Sequence, residues 1–422
     1  MPTHTYRASA YLAAAGRLGI GLLIGSDRKQ ALSDHAPGRT IALDFAEPDA
    51  AAQSVRAAVG ARPLAGIVAT DDDTVVLAAQ LAARLGVNGN TVESAGATRD
   101  KRRMRELLAA RWVPSPAFRI FPIGIEPGEA AREVRYPCVL KPVCLSASRG
   151  VIRSNDPEEF ALAYTRIRSI LADPVIHMRE GEAAEAVLVE DYVDGVEVAV
   201  EGLIEDGVLR VLAIFDKPDP LEGPFFEETL YVTPSVLPDG RQAEIERVAR
   251  DGAAALGLRT GAVHAELRLE ASGPAVLIEM AARSIGGLCS RSLRFIEERT
   301  ACSPDRVLPA LAQSISLEEL ILRQAAGLPT RAWRRESAAT GVLMIPIPRP
   351  GVLEEVAGGA AACSVAGIED LVVSIPAGQR VVPLPEGDRY LGFLFARGET
   401  PTAVEEALRA AHSRLEIRIR PE

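Results

Sequence analysis

Two glutamates near the middle of the chain, Glu266 and Glu279, have the types and spacing that best suit chemistry. Residues 261–269 and 276–283 are rich in aliphatic and β-branched side chains, and the Ser-Gly-Pro between them is typical of a hairpin turn. Alternation along the strands places His264 and Glu266 on one face, with Glu279 on the same face of the partner strand. Two carboxylates in a partly buried sheet repel each other unless a cation, usually a hard divalent one, lies between them. A solvent-facing sheet with ordinary acidic residues is the alternative.

A lysine in a second apolar segment indicates an anion. Residues 136–142 are predicted to form a strand that contains Lys141. A charge inside such a strand is costly unless it meets an opposite charge. The small residues that follow, 146–150, could close their backbone over phosphate oxygens. An ordinary connecting loop fits this composition equally well.

The first hundred residues alternate between predicted strands and helices, which indicates a small parallel α/β domain. Strands are expected at 20–25, 39–45 and 64–69, and helices at 6–18, 48–59 and 70–85. A helix from residue 6 leaves too little chain for a strand before it, although that strand is normally central in a doubly wound sheet. We therefore expect either a start recorded too late or a domain open on that side.

The rest of the chain favours antiparallel strands and a further mixed region. The predicted strands lie at 187–200, as a hairpin with its turn at 194–195, at 204–215, as another hairpin with its turn at 206–207, and at 340–347, 371–375 and 390–396. The predicted helices lie at 100–113, 242–256, 308–326 and 403–411. This pattern divides the chain into an N-terminal α/β domain at 1–97, a central domain at 98–330 with subdomains 98–192 and 193–330, and a C-terminal α+β domain at 331–422.

Composition and absent motifs exclude several classes. The net charge of −10 and the lack of a basic block longer than 101–103 argue against nucleic acid or an anionic membrane as the main partner. The sequence shows no export signal and no apolar run of roughly 20 residues. Five scattered cysteines without a CxxC spacing favour a reducing cytoplasm and no structural zinc, so oxygen should hold any metal. No GxGxxG follows a strand and no Gly-Lys-Ser/Thr occurs, which argues against nicotinamide dehydrogenases and P-loop phosphotransferases.

Taken together, these motifs resemble the ATP-grasp ligases, most closely the L-amino-acid ligases, which join two amino acids at the expense of ATP. The resemblance covers nearly the whole chain. It is carried by the helix start at 100–101, the strand and loop at 139–153, residues 190–197, and the set Glu266, Glu279 and Arg283. It implies an ATP-grasp fold, in which a parallel α/β domain precedes a two-subdomain nucleotide-binding unit and a mixed α+β domain.

The resemblance implies a role for each matching residue. The ATP-phosphate contacts would be Lys101, Lys141, Ser148, Arg149 and Gly150, with Lys217 a weaker member. The backbone of Glu190 and Val193 would meet the adenine edge, and the Glu197 carboxylate would hold the ribose hydroxyls. Glu266 and Glu279 would coordinate two Mg²⁺ ions, with Mn²⁺ as the alternative metal. Glu228 would face the amine of a substrate.

The implied reaction turns a carboxylate into an acyl phosphate, which an amine attacks to give an amide, ADP and phosphate. Both substrates would be small molecules, most simply amino acids, and a homodimer is compatible with the resemblance. Arg283 is the candidate that stabilises the charge on the carbonyl oxygen during amine attack. A structural salt bridge between Arg283 and Glu279 is its alternative role.

One position departs from the family pattern. Many ATP-grasp enzymes have an asparagine ligand two residues after the second glutamate, where this chain has Ala281. Three hypotheses stay open: an amino-acid ligase, a ligase for another carboxylate, or a nucleotide-binding regulatory protein with a degenerate site, for which Ala281 is the only hint.

Overall fold

The computed structural model describes residues 1, 5, 7–28, 39–298 and 314–421. Its helices are α1 Ala8–Leu18, α2 Pro48–Val59, α3 Asp72–Leu85, α4 Val92–Ala97, α5 Lys101–Ala110, α6 Pro127–Ala130, α7 Pro157–Leu171, α8 Pro174–Glu180, α9 Asp239–Ala255, α10 Leu317–Ala325, α11 Gly359–Cys363 and α12 Pro401–His412. Its strands are β1 Ile24–Ser26, β2 Thr40–Ala42, β3 Phe118–Pro122, β4 Cys138–Pro142, β5 Ile152–Ser154, β6 Ala186–Asp191, β7 Val196–Glu205, β8 Val208–Lys217, β9 Leu230–Thr233, β10 Gly261–Leu269, β11 Ala275–Ala281, β12 Arg294–Glu297, β13 Ile315–Ser316, β14 Trp333–Arg335, β15 Ala339–Ile345, β16 Gly351–Ala357, β17 Ile368–Val373, β18 Arg380–Val381, β19 Gly392–Gly398 and β20 Glu416–Arg420.

The N-terminal region contains the parallel strand pair β1 and β2, with α2 and α3 packed together beside it. The strand predicted at 64–69 is wrong, because this stretch is not in a strand. Gly66 instead approaches α10 so closely that a Cβ there would lie 2.6 Å from the carbonyl oxygen of Ala325. Burial against helices and the core, rather than strand pairing, therefore explains its apolar residues. The helices predicted at 6–18 and 308–326 correspond to α1 and α10, while residues 6 and 308–313 lie outside the described residues.

A small antiparallel sheet in the order β3-β6-β4-β5 carries the predicted phosphate lysine. Lys141 on β4 lies opposite Leu188 on β6. Helix α7 packs on this sheet through a buried apolar cluster that includes Phe160 and Tyr164. The loop 146–150 connects β4 to β5 and is therefore attached to a rigid sheet at both ends.

A large sheet in the order β11-β10-β7-β8-β9-β15-β19-β17 forms the body of the molecule. Strands β6 and β7 belong to different sheets, so the hairpin expected around 194–195 is wrong, and the chain crosses between sheets there. The next predicted hairpin is confirmed, since Glu205 of β7 pairs with Val208 of β8. Together the two sheets and their helices confirm the predicted mixed α/β and α+β architecture.

The strands of the predicted C-terminal domain extend the large sheet. Strand β9 pairs with β15, which in turn pairs with β19, so strands on both sides of residue 331 share one sheet. The division at that residue stays a prediction. Two small three-stranded sheets, β13-β12-β14 and β18-β16-β20, complete the described region. No helix within the described residues has the length and apolar character that a membrane crossing requires.

The central hairpin is formed as predicted by β10 and β11. Glu266 lies opposite Glu279, and His264 lies opposite Ala281. The alternating residues on the other face, including Ala265 and Leu267, pack in the cluster under α9. One face of the hairpin is thus buried in the core, and the other presents the acidic pair.

Candidate active site

A cavity of about 490 Å³ lies where the small sheet, the large sheet, the start of α3 and the segment before β19 meet. Most of the residues predicted from the sequence line this cavity: Lys101, Lys141, Ser148, Arg149, Glu190, Val193, Glu197, Glu228, Glu266, Glu279 and Arg283. Gly150 and Lys217 are not in its wall. The structure therefore gathers residues from 101 to 283 into one site.

The two hairpin glutamates have different surroundings. A carboxylate oxygen of Glu279 lies 3.4 Å from the Lys101 ammonium, whereas Glu266 lies 3.7 Å from Lys217 and 3.6 Å from Nε2 of His264. Burial raises the pKa of Glu266, and Lys217 offsets only part of that effect. Burial also acts to raise the pKa of Glu279, but Lys101, Lys141 and Arg283 together outweigh it and the pKa is lowered. The negative charge of Glu266 is therefore less fully compensated than that of Glu279, and Glu266 can accept a further positive charge.

Lys217 lies at the centre of a buried ionic cluster behind the wall. Its ammonium donates a hydrogen bond to Glu197 at 2.7 Å and another to Glu228. Glu197, Glu228 and Glu266 have oxygen atoms within 4.8 Å of one another, which is a grouping compatible with a bound cation. The cation in that position here is Lys217 itself. The second oxygen of Glu197 lies 3.1 Å from Nε of Arg268, so this carboxylate reaches the wall with both oxygens near protein cations.

Lys141 and Arg105 hold the side chain of Glu190 between them. The Lys141 ammonium lies 2.7 Å from one oxygen of Glu190, and Nε of Arg105 donates to the other. All three side chains are buried. Burial alone would raise the pKa of Glu190, but Arg105 and Lys141 outweigh it and lower the pKa. Sequence reasoning missed Arg105, because only the fold brings α5 against β6.

The crossing between the two sheets forms an apolar end of the cavity. Tyr192 and Val193 lie on the chain between β6 and β7, and Leu221 and Phe226 line the same cavity. The Val193 carbonyl accepts a hydrogen bond from Arg268 at 2.7 Å. A wall of apolar side chains beside polar backbone suits a flat, uncharged ring system.

The loop 146–150 lies over the lysine end of the cavity in a sharply turned conformation. Ala147 and Ser148 both have φ of 56°, and Gly150 has φ of 72°. Left-handed non-glycine residues cost free energy and are concentrated at functional sites. Residues 146–149 line the cavity and Gly150 does not; a Cβ at Gly150 would lie 2.7 Å from Cγ of Pro142.

Arg283 lies in the wall with a different partner from the one expected. Its guanidinium pairs with Asp72 at 2.7 Å and donates to the Ser284 carbonyl at 2.9 Å. A salt bridge between Arg283 and Glu279 is not formed in the described chain, so that alternative is wrong. Asp72 starts α3, and long-range packing that the sequence does not reveal brings it to the hairpin.

The segment before β19 contributes wall residues that sequence reasoning missed, among them Asp388, Arg389 and Tyr390. The other arginines of the wall are each paired with protein groups, namely Arg7, Arg149, Arg179, Arg268 and Arg283. Within the described residues, no acceptor lies within hydrogen-bond or ion-pair distance of Arg389. A single exposed arginine in a loop carries no sequence signal that would have identified it.

Comparisons with known proteins agree with this geometry. Residues 134–292 match the ATP-grasp domain, residues 12–88 the ATP-grasp N-terminal domain, and residues 343–420 the L-amino acid ligase C-terminal domain 2. The alanine–anticapsin ligase of Bacillus subtilis is 31% identical over 214 residues, which are 48% of this chain and 45% of that protein. The chain therefore matches less than half the length of this relative.

Solved structures agree over nearly the full length. An L-amino acid ligase from Bacillus licheniformis superimposes with a TM-score of 0.79 at 23% identity, covering 97% of this chain and 96% of that one. A carboxyaminoimidazole ribonucleotide synthase from Aspergillus clavatus, solved with ATP, has a TM-score of 0.68 at 16% identity and covers 96% of each chain. At these identities the likeness establishes the fold.

Proposed function

Because this chain belongs to the ATP-grasp family, we propose that it is an ATP-dependent ligase. It turns the carboxylate of an amino acid into an acyl phosphate and joins it to an amine, releasing ADP and phosphate. One observation carries the proposal: Lys101 and Lys141 lie beside the glutamate pair under the loop 146–150. Phosphoryl transfer depends on such positioned cations and on excluded water. The C-terminal match to the L-amino acid ligases favours amino acids as substrates.

The glutamate pair fits a divalent ion. Facing carboxylates provide the hard oxygen donors that Mg²⁺ prefers, and Glu266 has the raised pKa of a buried acid short of positive charge. We assign Glu266 and Glu279 as the residues that hold two Mg²⁺ ions, with Mn²⁺ as the alternative metal. When bound, the metal offsets the repulsion between ATP and the attacking carboxylate. Ala281 offers no ligand, so water would complete the coordination.

The remaining wall residues have different roles at the two ends of the cavity. Lys101 and Lys141 bind phosphate oxygens, because an ammonium has three donors and its carboxylate partner leaves others available. The apolar crossing at Tyr192 and Val193 receives the adenine ring. The loop 146–150 excludes water from the acyl phosphate. Glu190, Glu197 and Lys217 support these contacts through their ion pairs.

The amine substrate is placed at the end formed by Glu228, Arg283 and Arg389. Burial raises the pKa of Glu228, which favours a role in binding or accepting a proton from the amine. Arg283 retains donors beyond those used by Asp72 and can face the carbonyl oxygen as charge develops there. Within the described residues the guanidinium of Arg389 has no protein partner, which suits it to the carboxylate of an amino-acid amine substrate.

The proposal is tested by incubating the protein with ATP, Mg²⁺ and amino acids in pairs while ADP, phosphate and product masses are followed. Release of ADP and phosphate with a new dipeptide mass is expected. A new amide with another carboxylate would point to the second hypothesis, a ligase of different substrate class. ATP binding without ADP release for any pair would indicate the regulatory hypothesis, and release of AMP and pyrophosphate would contradict the acyl-phosphate route.

A further inference from the structure

The segment 383–390, between β18 and β19, contacts the loop 146–150 directly through its backbone. The amide of Gly150 donates to the carbonyl of Pro385 at 2.9 Å, and Nε of Arg149 donates to the carbonyl of Glu386 at 2.9 Å. Two consecutive residues of the loop are therefore held by two consecutive carbonyls from the C-terminal region. These contacts join the small sheet to a part of the chain more than two hundred residues away.

A side-chain contact strengthens this junction. Arg166 on α7 forms a two-point ion pair with the carboxylate of Glu386, with Nη2 2.9 Å from Oε2. The hydrogen bond from Arg166 lowers the pKa of Glu386. The same guanidinium lies 4.9 Å from the ring centre of Phe225, and Phe225 also pairs with Ile152 at the end of the loop. Arg166 thus connects the small sheet to the segment 383–390 and to the loop between β8 and β9, without itself lining the cavity.

The other end of the same segment forms cavity wall. Asp388, Arg389 and Tyr390 line the cavity. Ser374 fixes the chain just beyond them, because its hydroxyl donates to the Tyr390 carbonyl at 2.8 Å and its amide donates to the Leu391 carbonyl at 2.8 Å. A short, anchored segment therefore contacts both the loop over the phosphate end and the wall of the proposed amine subsite.

We propose that Glu386 and Arg166 are positioning residues whose ion pair acts as a clasp that holds the loop 146–150 closed. With the loop closed, the acyl phosphate meets the amine rather than water. The inference rests on the proposed ligase function. Opening the clasp admits water, which cleaves the acyl phosphate to the free carboxylate and phosphate. When the clasp is open, ATP is consumed without amide formation, but no binding site is lost.

The test compares Glu386→Gln and Arg166→Met with wild type by the ratio of ADP released to amide formed. An ion pair of this exposure shifts an equilibrium by a factor of about two to five, so the excess of ADP over amide, per amide formed, is expected to rise by about that factor and the ratio with it. Asp370→Asn is the matched control, because Asp370 pairs with Arg291 at 2.6 Å, Arg291 also lies over an aromatic ring, and neither lines the cavity. The control ratio is expected to stay at the wild-type value.

Hydrogen exchange of the Gly150 amide provides a readout that does not depend on ligase activity. With a non-hydrolysable ATP analogue bound, this amide is expected to exchange two to five times faster in Glu386→Gln than in wild type, and the charge-swapped pair Glu386→Arg with Arg166→Glu is expected to restore protection. Unchanged Gly150 exchange and an unchanged ADP-to-amide ratio in both single variants would overturn the inference. Wild type that makes no amide would instead overturn the proposed function, while the exchange measurement would still judge the clasp.

Discussion

Replacing Lys141 by methionine tests whether this lysine contributes to ATP binding in addition to the stability of the fold. The Lys141 ammonium lies 2.7 Å from Glu190 and also lines the cavity, so the substitution removes a cation from both. A hydrogen bond to a charged group contributes about 1.5–3 kcal/mol, so the Kd for ATP should rise roughly 10- to 150-fold. Arg105 still pairs with Glu190 in this variant. The free energy of unfolding should therefore fall by less than about 3–5 kcal/mol, which is the usual loss when a buried ion pair is broken by removing one partner.

Arg105→Met is the matched comparison. Arg105 pairs with the same carboxylate, but its side chain is only 1% exposed and it does not line the cavity. We therefore expect it to cost more stability than Lys141→Met and to change ATP affinity less. Calorimetric titration with ATP gives the Kd, and urea unfolding gives the free energy. An unchanged Kd in Lys141→Met, or equal affinity losses in both variants, would refute the assignment of Lys141 to the phosphates.

Three further variants test other parts of the site. Burial alone would raise the pKa of Asp72, but Arg283, Arg99 and Lys101 together outweigh it and hold the pKa well below its ordinary value. This stabilisation is present above about pH 4 and is lost as pH falls further. Asp72→Asn should therefore reduce the free energy of urea unfolding at pH 7, with a smaller difference from wild type at pH 3. Arg389→Met should raise the KM of the amine substrate roughly tenfold or more and leave that of ATP unchanged in steady-state assays, and an equal change in both would contradict its role. Glu279→Gln should abolish ADP release, and full activity in that variant would show that the metal is held elsewhere.

Much of the site was predictable because short local sequence patterns identify its residues. Alternation along two short strands was enough to place Glu266 and Glu279 on one face of the hairpin, where the structure pairs them, and the cost of a lysine in an apolar strand marked Lys141. The cap at Asp100 and the start of α5 at Lys101 were also readable from nearby residues.

What the sequence did not reveal depends on contacts between distant segments. The partners of Glu190 and Arg283 are Arg105 and Asp72, and no local pattern specifies either pair. Alternating apolar residues predicted β15 and β19 but not the sheet that they join, because a strand pattern fixes a face and not a neighbour. The stretch 64–69 has the composition of a strand, but it is only partly buried and is not one.

The central claim is that this cavity transfers a phosphoryl group from ATP to a carboxylate oxygen. The most direct test supplies a carboxylate substrate labelled with ¹⁸O, together with ATP, Mg²⁺ and an amine substrate, and measures the label in the released products by mass spectrometry. An acyl-phosphate route predicts one ¹⁸O atom in the inorganic phosphate and none in ADP. Phosphate without label, or label recovered in AMP, would contradict the account.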